Sequence, residues 1–578
     1  MTPADARNRW QKHRAEAGAL PADIRIAVAG SMTAEPLEPY LGDYLLRRAF
    51  RNPRVSFGPF GQIPQICRDY KSFFTEDTDA IVLLWRLEDM FAAALEDPAA
   101  LLEALDAFAA AVRDLRENFA GTVIVSIPPY PSTAAFDPSS LDQPAFGAAL
   151  HARAVERWIS RMQQISRIKL LDLGALERKL GTDAAQDPRK WFLYRQPWTE
   201  AFWHAAGRQL GRIVAAETRS AKKCIVLDAD NTLWGGIIGE DGMEGIALGE
   251  DFPGSAYRAF QKHLLHLKNK GVLLAVASRN NEADFFEVLD THDAMVLKRG
   301  DFAAFQVHWK AKVDSIRTIA KTLNIGTDAM VFIDDSAKEL AEVQERLPEV
   351  VCLHAPGDAA DLANLLVGSD LFDLAEVTEE DKKRTGMIIA ETARRELQDT
   401  VSEEDFKASL GLEMTVFAAQ KQHIARVAQL INKTNQFNLT TRRRRQDEVE
   451  KLAGDPRCRV IGMELKDKYG DYGLVGVAIL EKKETTCVID TLLMSCRALG
   501  RDAETAFIGV LAEQAAALGC KTIEGCYIPT AKNAVVKGFY QKHGMTFDAA
   551  RDVWTMPSTA TADLPAHIRV TRIFGDAP

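Results

Sequence analysis

The feature that most constrains this chain is a repeated one: a short apolar run, a polar residue or glycine at its end, then a helical pattern. It occurs in DIRIAVAGS (23–31), DAIVLLW (79–85) and GTVIVSIPP (121–129), with long alanine- and leucine-rich helical stretches between them such as Met90 to Arg116. It returns in KCIVLDAD (223–230), GVLLAVAS (271–278) and AMVFIDD (329–335). Alternating strands and helices predict parallel sheets covered by helices. Within the second set, Tyr257, Phe260, Leu264 and Leu267 keep helical spacing, as do Val313, Ile316, Ala320 and Leu323. Gly271 stands where a helix C-cap is expected.

At 578 residues the chain exceeds what one hydrophobic core can serve, since single cores stop growing at roughly 250 to 300 residues. Three α/β and α+β domains are expected: 1–217, 218–368 and 369–578. The third opens with a charged helical connector, 369–398. Strand-like LEMTVFAA, RVIGMEL, LVGVAIL and TCVIDTLLM follow, then helical DAETAFIGVLAEQAAALG and a last strand, TIEGCYI.

A formal charge of −10 argues against nucleic-acid binding, which draws its affinity from lysine and arginine. The basic run Arg442 to Arg445 is either a solvated face or a dock for an acidic partner. Eight scattered cysteines lack the spacing of zinc sites or disulfide scaffolds, which fits a reducing cytoplasm. The N-terminus has no signal-peptide core, and no apolar run approaches the roughly 18 residues a membrane span needs. A soluble cytoplasmic protein with no membrane partner is the expectation.

The chemistry concentrates in the second domain, where polar residues follow the strand-like runs. Ligands bind at that carboxyl edge in open parallel sheets. One strand delivers Asp228, Asp230 and Thr232 in the order D-A-D-N-T, another Ser278, and a third Asp334 and Asp335; Lys312 precedes a helix. Phosphoryl transfer needs a carboxylate nucleophile, a proton donor, groups that hold phosphate oxygens, and a divalent metal. Asp228 is expected to attack phosphorus, and Asp230, on the same side of the extended backbone, to act as general acid and then base. Ser278 and Lys312, with Thr232 and Arg279, are the phosphate-binding candidates. Asp228, Asp334 and the main-chain carbonyl of Asp230 would hold Mg²⁺, with Asp335 behind these ligands or reaching the ion through a water. No stretch between Thr232 and Lys312 has room for an inserted cap domain, so the site is expected to be open and able to admit a protein-tethered group.

The run KCIVLDADNTLWGGIIGEDG is much longer than the generic motif and resembles the hallmark of the FkbH-like family. The resemblance extends through SRNNEADF, VHWKAK, MVFIDDSAKEL, QLINKTNQFNLTTRR, KYGDYGLVGVAIL and IDTLLMSCRALGR, and covers the first domain more weakly. It implies a haloacid dehalogenase-type Rossmann-like domain with a minimal cap, between an SGNH-like α/β domain and a GNAT-like α+β domain. The implied activity is bifunctional: removing phosphate from 1,3-bisphosphoglycerate and loading the glyceryl unit onto the phosphopantetheine thiol of an acyl carrier protein, in polyketide-type biosynthesis. The C1 acyl phosphate can be attacked by a thiol, whereas the C3 monoester needs the aspartate machinery.

Cys496, beside Arg497, is the candidate enzyme thiol. The third domain resembles a GNAT fold, whose pyrophosphate turn matches here at Arg497 and Gly500. Asp502 replaces the final small residue, which disfavours ordinary acyl-CoA and leaves a groove suited to a carrier's pantetheine arm. Asn435, Asn438 and Thr440 are candidate lining residues, or turn caps. In the first domain AGSMT resembles the nucleophile strand of SGNH esterases and His204 their histidine, although the aspartate usual between Gly30 and Ser31 is missing; a docking or cap-like role is expected instead. Two alternatives stand beside the glyceryl transferase: a phosphatase of another phosphorylated or carrier-bound substrate, and a biosynthetic scaffold with vestigial outer domains.

Overall fold

The computed structural model describes residues 2–17, 20–48, 50, 52–95, 97–131, 147–218, 221–374, 379–398, 400–434, 436–444, 446–495, 498–530, 533–559 and 564–574. They form two compact units, Met1–Ala221 with Ser369–Glu376, and Lys222–Gly368 with Val377–Pro578.

The first unit holds a five-stranded parallel sheet. Its strands are β1 (Ile24–Gly30), β2 (Pro53–Phe57), β3 (Ala80–Leu84), β4 (Thr122–Ile127) and β5 (Ile168–Asp172), in the order β2-β1-β3-β4-β5. Side chains alternate between two cores, which is why the strands read as unbroken apolar runs. Ile24, Ile26 and Val28 of β1 pack with the helices Glu38–Arg47 and Glu200–Thr218, while Ala27 and Ala29 face Pro98–Asn118 and Ala148–Gln163. Residues expected to open the third domain return to this unit: Tyr44 donates to Asp370 at 2.6 Å and Arg212 pairs with Asp373 at 2.7 Å.

The second unit contains two sheets. One is parallel, with β6 (Cys224–Leu227), β7 (Leu273–Ser278), β8 (Phe302–Val307), β9 (Met330–Asp334) and β10 (Val351–His354) in the order β10-β9-β6-β7-β8. Val313, Ile316 and Ile319 of the helix Lys312–Leu323 pack on Val226, Ala275 and Phe332. Gly271 follows the helix Gly254–Asn269 at φ +95, and a Cβ there would meet the Asp381 carbonyl at 2.7 Å. That close approach admits the linker helix Glu379–Gln398, whose Arg384 donates to the Gly271 carbonyl at 2.8 Å. Farther along, buried Arg394 forms paired bonds of 2.7 and 2.8 Å to Asp467.

The other sheet is eight-stranded: β11 (Leu412–Ala418), β12 (Cys458–Asp467), β13 (Gly470–Lys483), β14 (Thr486–Met494), β15 (Thr522–Gly525), β16 (Thr546–Asp548), β17 (Val553–Pro557) and β18 (Ile568–Ile573). Strands β11 to β14 are antiparallel neighbours, and β14 and β15 run parallel across the buried helix Ala503–Ala517. The expected last strand is followed by three more, and β18 pairs in parallel with β11. Among the described residues no helix is long and apolar enough to cross a membrane.

Candidate active site

The backbone brings the polar residues of the second sheet to one edge. Strand β6 lies between β9 and β7, so the segments leaving these three strands emerge side by side. The Asp228 amide continues the ladder by donating to the Ile333 carbonyl at 3.0 Å, which sets Asp228 beside Asp334. Lys312, the first residue of its helix, extends its ammonium between them, 2.6 Å from Asp228 and 2.9 Å from Asp334. Lys312 and Asp334 are buried, and Asp228 is 9% exposed.

Carboxylate oxygens of Asp228, Asp334 and Asp335 lie within 4.8 Å of one another. Three carboxylates facing one ammonium leave this pocket short of positive charge. The strain shows in their proton affinities. Burial, then the charge of Asp228, pushes the Asp334 carboxyl up against the pull of Lys312. Burial and Asp228 also raise Asp335, opposed by its bond from Asn231. For Lys312, burial works against the charged form, but Asp228 and Asp334 outweigh it and the pKa is raised. An all-oxygen set of clustered carboxylates fits a hard divalent cation such as Mg²⁺.

Asp230 is held separately. One carboxylate oxygen accepts from Trp234 Nε1 at 2.9 Å and the Ile238 amide at 3.2 Å, the other from Asn280 Nδ2 at 2.9 Å. The same Asn280 amide lies 3.1 Å from the Ser278 hydroxyl. Burial raises the Asp230 pKa, partly offset by these three bonds. A carboxyl so raised holds a proton more readily, as a general acid must. Its side chain is thus fully engaged outside the carboxylate cluster, in keeping with a metal role through the main-chain carbonyl alone. Thr232 is fully buried and its hydroxyl has no hydrogen-bond partner.

Arg279 is drawn elsewhere: Glu339 takes its guanidinium at 2.8 Å and the Lys310 carbonyl its Nε at 3.4 Å. Sequence reasoning passed over Trp234, Asn280 and Asn231, although they stand inside the runs DADNTLWGG and SRNN. Asn231 adopts φ +52 and accepts from the Gly236 amide at 2.9 Å, closing the turn after β6.

In the first unit the Ser31 hydroxyl lies 3.0 Å from Asp89 and 3.1 Å from the Arg86 amide. His204 sits inside the helix Glu200–Thr218, its ring edge-on to Tyr40 at 5.6 Å, and burial lowers its pKa. Among the described residues no histidine bonds to the Ser31 hydroxyl. In the third sheet Asn438 is buried and holds its own turn, accepting from Thr441 at 2.8 Å and donating to Thr434 at 3.3 Å. Thr440 donates to the Asp490 carbonyl at 3.0 Å. Gly500 has φ +74, and Asp502 pairs with Lys407 at 3.1 Å and His567 at 3.6 Å. Arg442 and Arg444 both bind Asp490, so that part of the basic run faces a buried carboxylate. Asn435, Cys496 and Arg497 lie outside the described residues.

Among solved structures, the N-terminal part of protein BF1531 from Bacteroides fragilis, containing a phosphatase domain and complexed with Mg, matches at 27% identity. The match covers 65% of this chain and all of that one, with a TM-score of 0.57. Over the matched stretch this chain is similar to that phosphatase domain. A GNAT-family protein from Desulfovibrio desulfuricans aligns over 25% of this chain and 99% of its own, at 12% identity and a TM-score of 0.21. An acetyltransferase of that family from Streptococcus pneumoniae aligns over 25% and 98%, at 12% and 0.20. No family model matches the chain, and no curated protein matches it.

Proposed function

We propose that the protein is a Mg²⁺-dependent phosphatase and glyceryl transferase that removes the C3 phosphate of a 1,3-bisphosphoglycerate-derived unit and loads the glyceryl group onto the thiol of an acyl carrier protein. The observation that carries the phosphatase half is the division of labour between two neighbouring carboxylates. Asp228 lies against Lys312 in a charge-deficient pocket, while Asp230 is set apart by Trp234, Ile238 and Asn280 with its pKa raised.

Asp228 attacks phosphorus and forms an aspartyl phosphate as the ester bond breaks. Asp230 gives its proton to the departing alkoxide, then takes one from the water that hydrolyses the aspartyl phosphate. Lys312 and the Ser278 hydroxyl hold the phosphate oxygens, and the orphaned Thr232 hydroxyl has a bond to offer there. Asp228, Asp334 and the main-chain carbonyl of Asp230, with Asp335 beside them, would hold Mg²⁺, which would supply the positive charge that lets an anionic nucleophile approach a phosphate dianion.

The transferase half rests on the sequence resemblance, with Cys496 as the thiol that takes the acyl group from the C1 acyl phosphate. A sheet in which antiparallel β11 to β14 give way to parallel β14 and β15 supports a GNAT-like reading. The engagement of Asp502 by Lys407 and His567 supports a carrier arm over acyl-CoA, because a carboxylate occupies the start of the helix Ala503–Ala517.

Incubation with labelled 1,3-bisphosphoglycerate and a holo carrier tests the whole. Glyceryl thioester on the holo carrier and none on the apo carrier is expected. Phosphate release without thioester reduces the protein to a phosphatase, and neither product leaves only a scaffold.

A further inference from the structure

The short helix Pro188–Tyr194 of the first unit is pinned at both ends. Asp187 caps its start, accepting from the Lys190 amide at 3.0 Å, and the Asp187 amide donates to the Pro197 carbonyl at 2.8 Å. Arg195 closes it at φ +57. Thr33, three residues past β1, donates its hydroxyl to the Tyr194 carbonyl at 2.8 Å and its amide to the Arg195 carbonyl at 3.0 Å. Trp191 turns inward to the first core, with the buried Arg86 guanidinium 4.2 Å from its ring.

The next three side chains do the opposite: Phe192, Leu193 and Tyr194 are 78%, 59% and 59% exposed. Single exposed apolar residues are ordinary, but three large ones in a row on a fixed backbone make a surface that is better covered than left in water. Cations frame them. Arg189 and Arg195 stand on either side in sequence, both exposed, and neither forms an ion pair among the described residues. Lys190 lies 3.4 Å from Asp187, the acid that caps the helix. From Arg178 to Arg195 the chain carries five cations and two acids, Asp183 and Asp187, although its overall formal charge is −10.

An apolar centre with a cationic frame is complementary to an acidic surface with an apolar centre, and aromatic and arginine side chains carry much of the binding energy at such contacts. The overall charge narrows the class of partner. A phospholipid surface or a nucleic acid would extend beyond the patch and set its phosphates against the acidic remainder of the molecule, whereas a small protein need touch only the patch.

We propose that Phe192, Leu193 and Tyr194, framed by Arg189 and Arg195, are the docking surface for a small acidic protein, the carrier of the proposed function. The inference rests on that reading and names where its partner lands. Because the helix is already pinned, little ordering opposes binding.

A purified acidic holo carrier, added to the full chain, tests it with two double variants: Phe192→Ser with Leu193→Ser, and Arg189→Glu with Arg195→Glu. Thermal melting checks that each is folded; Arg189→Glu alone, at an exposed and unpaired position, replaces the second if it is not. In each variant the Kd for the carrier is expected to rise about tenfold or more at low salt, and the KM for carrier in loading with it, the effect falling on KM rather than kcat. Wild-type affinity should fall as salt is added, and the charge variant should lose most of that dependence. Unchanged Kd and KM in the folded variants overturn the surface. So does either of two results obtained with carrier affinity intact: binding to vesicles of phosphatidylglycerol and phosphatidylcholine that the serine variant abolishes, or a dimer of this chain that it disperses. The failure of the dock and that of the transferase reading are distinguishable. Thioester formed at unaltered KM in both variants removes the dock and leaves the reading; carrier bound through this surface with no thioester formed removes the reading and leaves an acidic protein as the partner here.

Discussion

At the carboxyl edge of the first sheet Ser31, Arg86 and Asp89 bond to one another, whereas at that of the second sheet Asp228, Asp334 and Asp335 crowd around Lys312. Both edges belong to open parallel sheets, both place polar groups after an apolar strand, and each buries a cation, Arg86 in the first and Lys312 in the second. In the first, Arg86 makes bonds of 2.9 and 2.7 Å to Asp89, a 3.3 Å pair to Glu88, and stacks on Trp191 at 4.2 Å. Asp89 in turn meets the Ser31 hydroxyl. In the second, three carboxylates face one ammonium and the Thr232 hydroxyl has no hydrogen-bond partner. A polar cluster tied by hydrogen bonds among its own members holds a fold together, whereas carboxylates whose charges raise one another's pKa mark a place where a cation would be favoured.

The sharpest way to break this comparison is to neutralise one carboxylate at each edge. Asp228→Asn should lower phosphate release by about 10⁴-fold or more, roughly 5 kcal/mol of transition-state stabilisation, while leaving Tm unchanged or higher, because it relieves buried repulsion. Release at the wild-type rate would refute the nucleophile. Asp230→Asn should cost roughly 10²- to 10⁴-fold through loss of the general acid and base. With a reactive leaving group it should accumulate a phosphoprotein cleaved by hydroxylamine, which rapid acid quench and intact mass would detect.

At the first edge the pattern should reverse. Asp89→Ala strands the buried Arg86 and should cost roughly 3 kcal/mol of stability in urea unfolding, with phosphate release intact. A loss of activity without loss of stability would make that edge a site. Asn280→Ala should cost about 1 to 2 kcal/mol in kcat by freeing Asp230, and should displace the limb of the pH profile that reports the general acid. A plain packing role would move stability and leave that limb in place.

The smallest expected effect is at Glu177, a buried carboxyl bonded to Gln186. Burial raises its pKa above the ordinary value, with the charge of Glu88 adding to this and the Gln186 bond and Arg86 opposing. A carboxyl raised in the folded state favours folding when protonated and loses that contribution as pH rises through its folded pKa. Glu177→Gln should therefore raise Tm slightly at pH 7, with the gain disappearing toward acid pH. A gain that persists at low pH would locate the effect in packing rather than charge.

Much of the active edge was legible before any fold. Asp228, Asp230, Ser278, Lys312, Asp334 and Asp335 announce themselves because chemistry demands those residue types and parallel strands deliver them at their carboxyl ends. The core strands β1, β3, β4, β6, β7 and β9 were legible for a related reason, since burial on both faces leaves unbroken apolar runs. Edge strands were not: β2 and β10 are only partly buried along their length, so their sequences carry weaker patterns. Strand β18 takes its place beside β11 from far along the chain, a pairing that no local pattern encodes.

What the chain's order of residues determined by itself is the kind of chemistry at the second sheet, because strand periodicity and motif spacing are local and survive without knowing the fold. What only tertiary structure decided is which candidates are free to act. Arg279 follows Ser278 in sequence yet is claimed by Glu339, and Asn280, one residue on, bridges Ser278 to Asp230. Asp241 and Asp358 are far apart in the chain and line one cleft. Charge balance is a sum over everything within reach in three dimensions, and it is the packing of loops from separate strands that sets which terms enter that sum.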